Sequence, residues 1–195
     1  AGLRFEAFQP NDPDPSVSRG KVRYADIAYK YIAIDIGDVE EGLNITAGNF
    51  YKLFGRGMIL KSYEDRNIRI DNNLLGVKIE ANYKDFTLTA LSGSAANAVD
   101  ERNDIIHAAD LQYRGFEVIK LGSSFASNQP STDGTARTTL ASFRVQPSIW
   151  NLDGYAEYGI KNNKDIQEKI FKNSESKIGE AFYSSLNFYY GDFSI

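Results

Sequence analysis

The chain's one histidine, His107, and the serines nearest to it in the pattern, Ser92 and Ser94, are residues whose types can do chemistry. A serine hydroxyl beside an imidazole is the arrangement of nucleophilic hydrolysis. No motif ties these three together, and a histidine at the outer rim of a sheet is the expected reading. The acidic pairs Glu40-Glu41, Glu64-Asp65 and Asp100-Glu101 offer oxygen ligands or an acid/base couple. None sits in a calcium loop of the twelve-residue pattern, and solvated loop charge explains them. Denser is the mixed run Arg56, Lys61, Glu64, Asp65, Arg66, Arg69 and Asp71. Opposed charges of this kind at a pore waist select solutes by sign. On an outer loop the same charges would face lipopolysaccharide or water, and that placement carries more weight.

Other chemistry is excluded by what is missing. Without cysteine there are no disulfides, thiolate sites or cysteine nucleophiles, and one histidine cannot build an imidazole cluster. No metal, no cofactor and no enzymatic activity are expected. The 22 basic and 26 acidic residues leave a net charge of −4. No local basic patch offsets it, so nucleic acid is not an expected partner. No apolar run approaches the roughly 20 residues of a spanning helix, and after Ala1 no leader pattern follows.

The elements that must position these side chains are strands. Leu75, Val77, Ile79, Ala81 and Tyr83 alternate with Gly76, Lys78, Glu80 and Asn82, which places one set on each face of a pleated strand. Lys84-Asp85 turns this run into Phe86, Leu88 and Ala90. The alternation recurs through His107 to Tyr113, then from Phe116 through Ile119, Leu121 and Phe125 with a bulge near Lys120. It returns at Ala141 to Val145, at Ala156 to Ile160 and at Leu186 to Tyr190. Short connections at 84–85, 114–115, 151–153 and 191–192 alternate with long polar ones at 94–104, 126–137 and 162–178. Tyr83, Phe86, Tyr113, Phe116, Trp150, Tyr155, Tyr190 and Phe193 flank the short turns, the level at which amphipathic rings suit a boundary between hydrocarbon and water.

These features predict an all-β fold, an antiparallel up-and-down transmembrane β-barrel. Its polar phase, Lys78, Glu80, Asp110, Arg114, Arg144 and Glu157, is expected to face the lumen, where Glu80 should tolerate lysine. The 195 residues read as a single domain of about eleven strand segments. Leu3, Phe5 and Ala7 look like the end of a strand and Phe193 to Ile195 like the start of one, so a portion of a larger barrel, cut at both ends, is expected. The stretch from Leu43 to about Tyr63 is too long for one tilted spanning strand of roughly 9 to 11 residues. Either it extends outside with a bulge at Gly55-Arg56-Gly57, the expected course, or Phe50 to Gly57 bends into the lumen.

The stretches AGLRFEAFQP (1–10), GNFYKLFGRGMIL (48–60), SYEDR (62–66) and IDNNLLGVKI (70–79) resemble the N-terminal half of an outer-membrane barrel family of Bacteroidota and relatives, of unknown function. Lys52-Leu53 stands where a Glu-Gln-like pair is expected. The resemblance implies a barrel in the outer membrane of a Gram-negative bacterium, part of a longer chain, and brings no functional residues. The expected function is a passive, porin-like diffusion channel or a structural component of an outer-membrane assembly. Its partners would be lipid and lipopolysaccharide, with other outer-membrane or periplasmic proteins as further candidates. The competing class is a soluble β-sandwich or small barrel that binds carbohydrate or an apolar ligand, with its apolar residues inward.

Overall fold

In the computed structural model, which describes residues 1–8, 24–65, 70–95, 102–130, 137–164, 177–190 and 193–194, every regular element is a strand. In chain order these are β1 (Gly2–Phe8), β2 (Tyr24–Gly37), β3 (Glu41–Phe50), β4 (Glu64–Asp65), β5 (Ile70–Asp71), β6 (Leu74–Tyr83) and β7 (Phe86–Ala95). They continue with β8 (Asp104–Tyr113), β9 (Ile119–Pro130), β10 (Arg137–Ile149), β11 (Leu152–Lys164), β12 (Lys177–Tyr190) and β13 (Phe193–Ser194). The sheet runs β1-β2-β3-β6-β7-β8-β9-β10-β11-β12-β13, each strand antiparallel to its neighbour, while β4 and β5 pair with each other alone. The up-and-down antiparallel order is as the alternation predicts. β1 and the last strands are not paired to one another, so the sheet itself is not closed.

The two faces differ as the period-two pattern requires. Val77, Ile79, Leu88, Leu111, Phe125, Phe143, Ile160 and Phe182 project from one face, and Ile79 remains 40% exposed. This bare face is apolar from Leu3 and Phe5 on β1 to Leu186 and Phe188 on β12. The other face carries Thr89, Asp110, Ser124, Ser142, Arg144 and Glu157, all buried.

What covers that second face is residues 51–65 and 70–73, the described part of the connection between the paired strands β3 and β6. The expected single element from Leu43 to Tyr63 is therefore corrected. β3 ends at Phe50 and the chain bends across the polar face, the course held second on sequence grounds. The departure occurs at Gly48, whose φ of 114° breaks the alternation so that Asn49 and Phe50 are both buried. Leu53 bridges to Lys61, and Phe54 N–H donates to the Leu60 carbonyl, so the segment returns on itself as a small hairpin. Its apolar residues Phe54, Ile59 and Leu60 join Phe50, Leu74, Leu91, Ala108 and Ala126 in one cluster. Small side chains on β8 and β9 leave the depth that Phe54 fills.

The same segment reaches both margins of the sheet. Glu64 pairs with Arg4 on β1, and the Arg56 guanidinium lies 5.9 Å from the Tyr183 ring on β12. A flat sheet would hold β1 and β12 roughly 43 Å apart at ordinary strand spacing, yet Arg56 and Glu64 are eight residues apart in sequence. The sheet therefore curves around the segment.

The turns agree with the sequence in part. Lys84-Asp85 and Trp150-Asn151 are two-residue turns, and Lys84 and Trp150 adopt left-handed φ of 52° and 54°. Such φ values are what right-twisted hairpins need. The connection after β8 is longer than expected, residues 114–118, and β9 is regular from Ile119 onward with no bulge at Lys120. Phe116 is out of phase with Ile119, Leu121 and Phe125 because it precedes the strand. Tyr83, Phe86, Tyr113, Phe116 and Trp150 do gather near the short turns, with Tyr113 edge-on to Phe116 at 5.1 Å. Tyr155 does not, being 7% exposed on the covered face. The side chains of Tyr190 and Phe193 lie outside the described residues, as do Asp100 and Glu101.

Phe54 is 0% exposed. Truncating a ring so enclosed removes transfer energy and leaves a cavity, so Phe54→Ala is expected to cost about 3 to 5 kcal/mol in denaturant unfolding. Val39→Ala in the exposed β2–β3 turn should change stability by less than roughly 0.5 kcal/mol.

Candidate functional site

The covered face holds its charges in a ladder that runs from strand to strand. At its centre Arg144 on β10 is 1% exposed, with Asp110 on β8 2% and Glu157 on β11 1% exposed. Arg144 Nη1 donates to Asp110 Oδ1 at 2.7 Å and Nη2 to Asp110 Oδ2 at 2.9 Å, a bidentate pair across β9. Ser124 on the intervening strand accepts from Nη1 at 2.7 Å and donates to Asp110 Oδ1 at 2.5 Å. The pair spans β9 because Gly122 lies beneath it: a Cβ there would stand 2.5 Å from the guanidinium carbon.

Glu157, opposite Arg144 in the β10–β11 register, is satisfied from its own side. Ser142 Oγ donates to Oε1 at 2.7 Å and Tyr155 OH donates to Oε2 at 2.5 Å. The Tyr155 oxygen in turn accepts the Arg56 backbone N–H at 3.1 Å, which ties the inserted segment to the ladder. Gly55 makes that approach possible. Its φ is 54°, and an added Cβ would meet the Tyr155 hydroxyl at 2.5 Å and the Glu157 carboxylate at 3.0 Å. Charges so desolvated are tolerable only when each lone pair and proton is met.

A second cluster holds the ends of the segment. Arg4 on β1 donates from Nη1 to Glu64 at 2.9 Å and from Nη2 to Asp71 at 2.6 Å. Asp71 also accepts from Tyr51 OH at 2.9 Å and from Asn73 Nδ2 at 2.8 Å, and Tyr51 stacks on Tyr29 with centroids 5.3 Å apart. Asn49 donates to Asn73 at 2.7 Å and accepts the Lys30 N–H. Burial alone would push the Asp71 carboxyl up. The hydrogen bonds from Asn73, Tyr51 and Arg4 outweigh it and hold the group below the usual carboxylate range. Burial, and then the bond to Asp71, pushes the Tyr51 phenol up, so it stays a donor.

A third group lies between them, where Lys52 of the segment and Lys78 of the sheet both pair with Glu80. The expectation that Glu80 tolerates lysine is thereby corrected. Three ammonium groups would share one site, and like charges so close repel.

Of the sequence-chosen residues, Lys78, Glu80, Asp110, Arg144 and Glu157 share the covered face. Arg114 lies just past β8 at the exposed rim, where it donates to Thr87. The charge run does not act as one group. Glu64 and Asp71 grip Arg4, Lys61 sits 4.5 Å over the Tyr63 ring, and Arg56 lies far along the face over Tyr155 at 5.0 Å. Asp65 pairs with Ile70 in the β4–β5 ladder, and Arg66 and Arg69 lie outside the described residues. The register sets His107 opposite Ser92 on the bare face, without a hydrogen bond between them. In the turn, Asp38 caps the N–H groups of Glu40 and Glu41. Among the described residues no three acidic or histidine side chains gather as a metal site.

Sequence reasoning missed Arg4, Tyr51, Asn49 and Asn73, which lie in different stretches of chain, and misassigned Tyr155. For Tyr155 the signal was present: it shares the phase of Glu157, opposite to that of Ala156 and Tyr158.

These features define a class, an all-β protein built on one antiparallel sheet whose polar face is closed over by an inserted segment. Within it, the chain belongs to a family of unknown function (DUF6029), whose model matches residues 1–195. No curated protein and no solved structure matches the chain.

Removing one partner of the central pair strands the other charge, so Arg144→Met or Asp110→Leu alone should each cost about 3 to 5 kcal/mol. The double variant should recover most of that loss in a thermodynamic cycle. Acid should loosen the segment's anchor. With a depressed folded-state pKa, Asp71 contributes stability in full above its unfolded value of about 3.9 and loses it as pH falls through the lower folded value. Protease protection of residues 51–73 should therefore fall in that acid window, and Asp71→Asn should weaken it already at neutral pH.

Proposed function

We propose that this sheet is part of the wall of an outer-membrane β-barrel in a Gram-negative bacterium, and that the barrel is a passive diffusion channel narrowed by the inserted segment that begins at Tyr51. The observation that carries the reading is the division of the sheet into two faces. One presents large apolar side chains from β1 to β12 with no cover among the described residues, while the other encloses Arg144, Asp110 and Glu157. Soluble monomers seldom expose more than a few hundred Å² of contiguous apolar surface. Acyl chains are the natural solvent for such a face, with lipopolysaccharide at its outer margin.

Tyr83, Phe86, Tyr113, Phe116 and Trp150 support an interface at the short-turn end, where half-apolar rings meet headgroups. In hydrocarbon the free edge of β1 and the part of β12 not paired with β13 must find partners, so closure into a barrel is a requirement of the reading. The inserted segment fills much of the covered face but leaves a polar cavity of about 280 Å³ beside Arg56, which supports a narrow route over a sealed wall. A second reading, a structural component of an outer-membrane assembly, is favoured by how completely the Arg144 ladder is buried.

Ile79→Lys turns a charge toward lipid and should cost roughly 2 to 4 kcal/mol in a refolding titration into vesicles. Thr89→Ser on the covered face should refold as the parent does. Equal tolerance of Ile79→Lys would remove the membrane reading. Planar-bilayer recordings then separate channel from scaffold, since only the channel gives discrete conductance steps.

A further inference from the structure

The inserted segment does not stop at the buried ladder. It enters the covered face where Phe50 and Leu74 pair, at the long-connection end of β3 and β6, and carries Arg56 towards the short-turn end of β10 and β11. There the cavity of about 280 Å³ is lined by Arg56 from the segment and by Lys120, Gln146, Ser148, Asp153 and Asn187 from the strands. The strand residues come from β9, β10, β11 and β12, so the sheet builds one wall and the segment the other.

The charges in this cavity are unlike those elsewhere on the face. Arg144, Lys52, Lys78 and Arg4 each meet a carboxylate. Among the described residues neither the Arg56 guanidinium nor the Lys120 ammonium does. Arg56 is held instead by two rings, with its Cζ 5.0 Å from the Tyr155 centroid and 5.9 Å from that of Tyr183. A guanidinium stacked on rings keeps its N–H fork free for an oxyanion. The one lining carboxylate, Asp153, is engaged by Ser148 Oγ, which donates to it at 2.5 Å. Asp153 keeps its charge, so two cations stand against one carboxylate, and with the amides of Gln146 and Asn187 this net positive lining makes the cavity a receptor for negative charge.

We infer that this cavity binds small oxyanions, of phosphate or carboxylate type, and that it selects anions on the diffusion path. The second half rests on the channel reading above; the first does not. Arg56 supplies the directed hydrogen bonds and Lys120 the longer-range attraction, while Tyr155 fixes Arg56 by its ring and by its hold on the Arg56 N–H.

The full chain in detergent micelles, titrated with inorganic phosphate and followed by ³¹P line broadening, tests the site. Arg56→Ala should weaken binding roughly tenfold or more, as loss of a charged hydrogen-bonding partner does. Lys120→Gln, a change at an exposed strand position, should weaken it less while leaving the heat-modifiable gel shift unchanged. Lys61→Gln, outside the cavity, should leave phosphate affinity as in the parent. No saturable phosphate binding by the parent, or equal binding by Arg56→Ala, overturns the site. In planar bilayers under a KCl gradient the reversal potential should favour chloride and shift toward potassium with Arg56→Glu. Currents without that preference overturn the selectivity. Phosphate binding without any current would keep the site and remove the channel reading.

Discussion

A guanidinium withdrawn from water is tolerable only if acceptors inside the protein replace its hydration, and Arg144, with three N–H groups bonded to Asp110 and Ser124, is the point at which this chain meets that demand. Asp110 takes both of its forward N–H groups, Ser124 closes the triangle, and Gly122 leaves the room. The pairing crosses three strands, so it is satisfied in only one register of β8, β9 and β10. A slip of one residue would turn Asp110 to the apolar side and leave Arg144 alone. The ladder therefore specifies the sheet as much as it stabilises it. Replacing such a pair by hydrocarbon can be neutral in energy, but hydrocarbon would not choose a register.

The inserted segment follows from the same constraint. Without it the ladder would face water, and the small residues Gly122, Ser124, Ala126 and Ala108 would leave a trough along β8 and β9. Phe54, Ile59 and Leu60 fill that trough, and the Arg56 backbone completes the hydrogen bonding of Tyr155. At the other margin Arg4, Asp71, Tyr51 and Asn73 fasten the returning chain to β1 and β6. The segment is thus held by polar bonds at both margins and by an apolar cluster in the middle. Where its tip runs past the ladder, Arg56 finds aromatic rings in place of a carboxylate, and this difference gives the remaining cavity its sign.

Much of the sheet was legible in the sequence alone. Period-two alternation placed Val77, Ile79 and Leu111 on one face and Lys78, Glu80, Asp110, Arg144 and Glu157 on the other, because a pleated strand leaves no third option. The turn at Lys84-Asp85 followed from the same pattern, while the one expected at 151–153 falls earlier, at Trp150-Asn151. The course of residues 51–65 was not legible. GNFYKLFGRGMIL has no clean period, and its glycines suit a bulge in a strand as well as a hairpin. Its charged residues looked like one cluster because they are close in sequence, yet Arg56 and Glu64 lie toward opposite margins of the sheet.

By itself the sequence determined the main strands of the sheet from β6 onward, their antiparallel order and the side most of their residues face, since all three depend on neighbours within a few positions or across one turn. Only the tertiary structure decided which charges are paired and which are left free. Arg4 meets Asp71 across 67 positions and Arg144 meets Asp110 across 34, distances over which local periodicity carries no information. Those contacts exist because the sheet curves around a segment that must be buried, and burial selects partners by geometry in space, not by spacing along the chain.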